Sequence, residues 1–81
     1  MKIRALFFAS YRELVGAREL ILELGEPATV TQLVADLRDR GGAFSSFPPA
    51  PAVAVNEEYC PDDTALRDGD VVAFIPPVAG G

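Results

Sequence analysis

The 81-residue chain contains no histidine, no tryptophan and a single cysteine, Cys60. Histidine and cysteine supply most biological metal sites and most nucleophile and base pairs, so the sequence argues against both a resident metal and a self-contained enzyme. One cysteine cannot close an intramolecular disulfide, and nothing points to an oxidising compartment. The acidic flanks of Cys60 (Glu58, Asp62, Asp63) disfavour a thiolate, and it is read as a small apolar residue. Positive charge is also scarce: seven Lys and Arg stand against twelve Asp and Glu, a net charge of −5. That balance disfavours nucleic acid and anionic membranes and favours a basic protein surface as partner. Long apolar runs are missing too. Lys2, Arg4 and Arg12 interrupt the start too early for a signal peptide, and the longest uncharged stretch, 41–56, is broken by Pro48, Pro49 and Pro51. A cytoplasmic location with no membrane partner is the expectation.

What is present suits one small globular domain, with 49% hydrophobic and 23% charged residues. Residues 2–8 (KIRALFF) alternate as a strand, with Ile3, Ala5 and Phe7 on one face and Leu6 and Phe8 on the other. Residues 10–16 predict a helical turn with Ser10 as N-cap, Glu13 as its capping-box partner and Gly16 as the stop. A second alternating strand spans 18–24 and runs antiparallel to the first. Val30, Leu33, Val34 and Leu37 then recur at helical spacing, marking the main helix, capped by Thr29 with Gln32 or by Thr31, and ended near Gly41. Residues 42–51 (GAFSSFPPAP) predict a loop, 52–55 a short strand, 56–58 a turn, and 59–66 irregular chain with a minor strand. Arg67-Asp68-Gly69-Asp70 is a turn signal, and 71–75 (VVAFI) forms the last strand before Pro76 and Pro77 end it.

This order predicts an α+β, β-grasp (ubiquitin-like) fold: a mixed sheet of four to five strands with one main helix packed on one face. The first and last strands lie parallel at its centre, joined by a right-handed crossover. A ferredoxin-like sandwich needs a second full helix. Residues 1–75 form the domain, and 76–81 an extended tail ending in Gly-Gly.

The tail, PPVAGG, carries the chemistry. Terminal Gly80-Gly81 is the narrowest main chain available and can thread a slot closed to other residues. At about 3.3 Å per extended residue, 76–81 reaches on the order of 20 Å, enough to enter a partner's active site. The Gly81 carboxylate is unreactive until activated as an acyl-adenylate, after which a persulfide or an amine can attack it. The plain alternative is a frayed end without a role. Leu6, Phe8 and Ile75 beside the tail's exit form a candidate partner interface, unless a flanking loop carrying Phe44 or Phe47 covers them. Glu57, Glu58, Asp62, Asp63, Asp68 and Asp70 make an acidic stretch read first as a solvated loop face and second as a steering surface. Calcium-loop spacing is absent.

RDGDVVAFIPPVAGG, together with KIRALFFASYRELVG at the start, resembles the molybdopterin synthase small-subunit family, the sulfur carriers of molybdenum-cofactor synthesis. The resemblance implies a ubiquitin-like fold and no bound cofactor. It further implies that an activating enzyme uses ATP to adenylate Gly81, where a thiocarboxylate (1-thioglycine) is then installed. Gly80 gives access, and Pro76, Pro77, Val78 and Ala79 line the path into the large synthase subunit, in a heterotetramer. There the sulfur passes to cyclic pyranopterin monophosphate, and two rounds build the dithiolene. On this reading the chain is the non-catalytic half of a sulfurtransferase. The rivals are the thiazole-forming sulfur carrier of thiamine synthesis, against which the Pro-Pro and the length argue, and a ubiquitin-like protein modifier.

Overall fold

The computed structural model describes residues 1–77. It contains β1 (Lys2–Phe7), α1 (Ala9–Val15), β2 (Glu19–Glu23), α2 (Val30–Arg38), a 3₁₀ helix (Gly42–Ser46), β3 (Val53–Val55), β4 (Glu58–Cys60) and β5 (Val71–Phe74). One five-stranded sheet has the order β2-β1-β5-β3-β4. β1 and β5 are parallel neighbours at its centre, and the other pairs are antiparallel. This is the expected mixed sheet with a main helix on one face.

Alternation along each strand decides which side chains the helices cover. Ile3, Ala5 and Phe7 on β1, Leu22 on β2, Val53 on β3, and Val72 and Phe74 on β5 are buried. Against them pack Val30, Leu33, Val34 and Leu37, one stripe of α2 at helical spacing. α2 begins as the sequence indicates: the Gln32 amide N–H donates to the Thr29 hydroxyl and the Thr29 amide N–H to the Gln32 side chain, a reciprocal cap. Its C-cap is Asp39 in the right-handed conformation, and Gly41 lies two residues further on, at φ 78.

Three local expectations need correction. The α1 N-cap is Phe8 rather than Ser10, with no side-chain cap: β1 stops at Phe7, and the chain turns into the helix through Ala9 at φ 46. The predicted stop is right, since Gly16 ends α1 at φ 75, where a side chain would be strained. Residues 42–51 are not simply a loop but carry a 3₁₀ turn. Phe47, at its C-terminal end, is 1% exposed and belongs to the core. Its ring meets Phe7 edge-on at 5.9 Å, Phe74 edge-on at 5.2 Å and Tyr11 at 4.8 Å. Phe47 therefore closes the helical side of the sheet. It does not cover Leu6 and Phe8, which belong to the opposite face.

Candidate functional site

The face of the sheet turned away from the helices is set by the same alternation. Register pairs Arg4 with Ile21 on one side and Val71 on the other, and Leu6 with Glu19 and Ala73. Ala73 in turn pairs with Ala54, and Ala54 with Tyr59. One continuous row thus runs Glu19, Leu6, Ala73, Ala54, Tyr59 across all five strands. Phe8, Ile21 and Tyr59 are the exposed large apolar side chains among the described residues, and Phe8 is 46% exposed. Arg4, Leu6, Phe8, Ala54, Val71 and Ala73 line an open depression of about 570 Å³, with Asn56 and Glu57 at its margin.

A parallel β1–β5 pair makes this face converge on the exit of the chain. Phe7 stands opposite Phe74, so the residues that follow, Phe8 and Ile75, leave the sheet at the same end. The Ile75 amide donates to the Ala52 carbonyl at 3.1 Å, extending the β3–β5 ladder by one bond beyond the strand. Ile75 and Pro76 are half-buried and Pro77 is exposed. Leu6, Phe8 and Ile75 are therefore gathered beside the last described residues. Val78, Ala79, Gly80 and Gly81, which the sequence marks as the tail's working end, lie outside the described residues.

Charge is arranged at the other end of the sheet. The Asp70 carboxylate accepts from the Arg67 amide at 2.8 Å and from the Asn56 side-chain amide at 2.9 Å. The Asn56 side-chain carbonyl accepts from the Val71 amide at 3.0 Å. The Lys2 amide donates to Asp68 at 2.7 Å. Two of the six acidic residues flagged in the sequence are thus occupied as backbone acceptors that lock the 67–70 turn to β1 and to the β3–β4 hairpin. Asn56 and Glu57 make that hairpin's turn at φ 50 and 73, a left-handed pair matched to strand twist. Arg4 and Glu19 form an exposed ion pair on the open face, worth little to stability in water. Cys60 is half-buried on the edge strand β4. Among the described residues, no group of three or more His, Cys, Asp or Glu comes together as a metal site, and no helix is long and apolar enough to cross a membrane.

The structural feature that sequence reasoning missed is the aromatic wedge under the site, Phe47 with Tyr11. Two phenylalanines inside a proline-rich segment of a chain without tryptophan are its one visible trace.

Comparison with known proteins places the chain in a family. The sequence model of the ThiS family matches residues 5–81. The chain is 41% identical to the molybdopterin synthase sulfur carrier subunit of Chlamydomonas reinhardtii, over 100% of both chains. A Pyrococcus furiosus protein assigned as molybdopterin converting factor subunit 1 superposes with a TM-score of 0.82 at 35% identity, covering 96% of this chain and 99% of the other. SAMP1 from Haloferax volcanii superposes with a TM-score of 0.85 at 26% identity, over 100% of both. With a match to its sequence model over residues 5–81, nearly the whole length, the chain belongs to the ThiS family.

Proposed function

We propose that this chain is the sulfur carrier subunit of a molybdopterin synthase. An ATP-dependent activating enzyme adenylates the Gly81 carboxylate, the adenylate is replaced by sulfur to give a thiocarboxylate, and the sulfur is delivered to cyclic pyranopterin monophosphate inside the large subunit. The observation that supports this most is the full-length 41% identity with the Chlamydomonas subunit, an alignment that runs through the Gly-Gly end. The fold supplies what such a carrier needs. A rigid sheet presents an apolar platform, and the chain departs from the end of that platform beside Phe8 and Ile75.

The division of labour follows from the chemistry. A carboxylate becomes an acyl donor when its oxygen is converted to a leaving group, and the adenylate provides one. The chain's contribution is binding and delivery. Docking of the open face fixes the body of the protein, so that a tail without side chains at its last two positions enters a narrow channel. Burying the exposed half of Phe8 against a partner contributes on the order of 1 kcal/mol. The chain itself catalyses no step, holds no cofactor, and works in the cytoplasm with the large subunit and the activating enzyme in turn.

The test is intact mass after incubation with the candidate activating enzyme, ATP and a sulfur source. A single species with one oxygen replaced by sulfur is expected. Adducts on other proteins that leave a glycine-glycine remnant on lysine would instead support a protein modifier, and an unchanged mass would contradict both.

A further inference from the structure

The outer strands of the sheet, β2 and β4, each have one edge that no other strand of the chain pairs with. Met1 and Leu24 exchange both of their bonds at one end of the β1–β2 ladder: the Met1 ammonium donates to the Leu24 carbonyl at 2.8 Å and the Leu24 amide to the Met1 carbonyl at 2.9 Å. At the other end the Phe7 amide donates to the Arg18 carbonyl at 2.9 Å. An antiparallel ladder alternates between these points, so Leu22 and Leu20 bond to Ile3 and Ala5. Glu19, Ile21 and Glu23 are left with amide and carbonyl aimed outward, without a hydrogen-bond partner among the described residues. Such a row is a template for an added strand. β4 is a poorer one. Its turn of Asn56 and Glu57 makes Val55 and Glu58 a bonded pair, which leaves Tyr59 alone facing out, and Pro61 has no amide to continue the edge.

The side chains of the same three β2 residues stand together on the open face. Two carboxylates flank Ile21, which is 54% exposed. Leu20 and Leu22 turn to the core side. Lys2, the register partner of Glu23, and Arg4, the ion-pair partner of Glu19, both belong to β1, on the inner side of this row. A carboxylate accepts several donors, and the Glu19 side chain keeps 42% of its surface exposed beside Arg4. A second copy of the chain is a poor occupant. Antiparallel pairing centred on Ile21 sets Glu19 opposite Glu23 of the other copy twice, and a shift by two residues sets a carboxylate opposite Ile21.

We infer that the free edge of β2 takes up an extended segment of a partner protein as a sixth, antiparallel strand, with basic, apolar and basic side chains opposite Glu19, Ile21 and Glu23. Every second residue of that segment contributes to the row, so its pattern is basic-x-apolar-x-basic, and the intervening residues lie beside Leu20 and Leu22 on the helical side. Backbone bonds fix the geometry of the contact, and the two carboxylates select its charge. The excess of acidic over basic residues in the chain acts in the same direction. Binding at this edge needs no chemistry at the tail, so its failure leaves the sulfur-carrier reading untouched, and the reverse also holds.

The test is amide hydrogen exchange, followed by NMR on the full chain, with the capped peptide Thr-Lys-Thr-Val-Thr-Lys-Thr, whose pattern reads the same in both directions. Exchange at Glu19, Ile21 and Glu23 is expected to slow on the order of tenfold with peptide at about ten times its Kd, while Leu20 and Leu22, already paired to β1, change little. A peptide with Glu in place of Lys should bind about tenfold more weakly, and the double variant Glu19→Lys, Glu23→Lys should reverse that order. Glu23→Gln, which keeps the Arg4 ion pair, should weaken the Lys peptide by about threefold with an unchanged melting temperature. No slowing at the three amides with peptide at about millimolar concentration overturns the inference. So does equal binding of the Lys and Glu peptides, or a wild-type dimer paired through β2.

Discussion

Phe7 and Phe74 are register partners across the parallel β1–β5 pair, and their rings stack at 5.5 Å with 13° between planes. This contact ties the first strand to the last under the point where the chain leaves the sheet. It also sets the phase of both strands: with Phe7 and Phe74 inward, Leu6 and Ala73 are forced outward. Core packing and the open apolar face are thus two consequences of one register, and a one-residue slip would exchange them.

Phe47 completes the aromatic cluster from the helical side, in edge contact with both of those rings. Phe47→Ala is expected to destabilise the fold by about 3–5 kcal/mol, as cavity-forming phenylalanine truncations do. Denaturant unfolding checks this; a cost under about 1 kcal/mol would show that residues 42–51 can close over the gap.

Phe8 is 46% exposed and packs outside the core. Phe8→Asp should leave the melting temperature within a few degrees, since surface substitutions cost about 0.5 kcal/mol or less, yet weaken large-subunit binding by about tenfold or more. Calorimetric titration beside a thermal melt separates the two effects. A large loss of stability with intact binding would place Phe8 in the core instead.

Burial raises the Tyr11 phenol above its ordinary value near 10. The unfolded chain therefore releases this proton before the folded one does as pH rises. Above about pH 10 the unfolded state binds fewer protons than the native state, and stability falls with increasing pH. Tyr11→Phe is expected to flatten that alkaline decline while leaving stability at neutral pH nearly unchanged. Parallel pH series of denaturant melts check it, and identical slopes for the two proteins would contradict it.

Gly80→Val tests the channel argument. The substitution adds a branched side chain one residue from the terminus and should reduce sulfur transfer by at least about tenfold, with binding of the body retained through the open face. Unchanged turnover with the purified synthase complex would show that access to the site is wide.

Much of this was legible in the sequence, for physical reasons that can be named. Ile3-Ala5-Phe7 and Val30-Leu33-Val34-Leu37 reveal their periods because a single face of each element is buried. The Thr29–Gln32 cap and the Gly16 stop were readable because their chemistry is local. The apolar face was visible because the off-phase residues Leu6 and Phe8 are also hydrophobic. Phe47 was not legible: its burial depends on a 3₁₀ turn bringing it over Phe7 and Phe74, residues 40 and 27 positions away in the chain, and no local pattern encodes that contact. The α1 cap was misplaced because a strained Ala9 starts the helix early, against backbone propensity, where Ser10 offered an ordinary signal.

The most direct measurement is sulfur transfer by a chain lacking Gly81, assayed with the large subunit and the pterin substrate beside a thermal melt. The account predicts a native melting temperature and no molybdopterin formed. Product formation by the shortened chain at the full-length rate would contradict it.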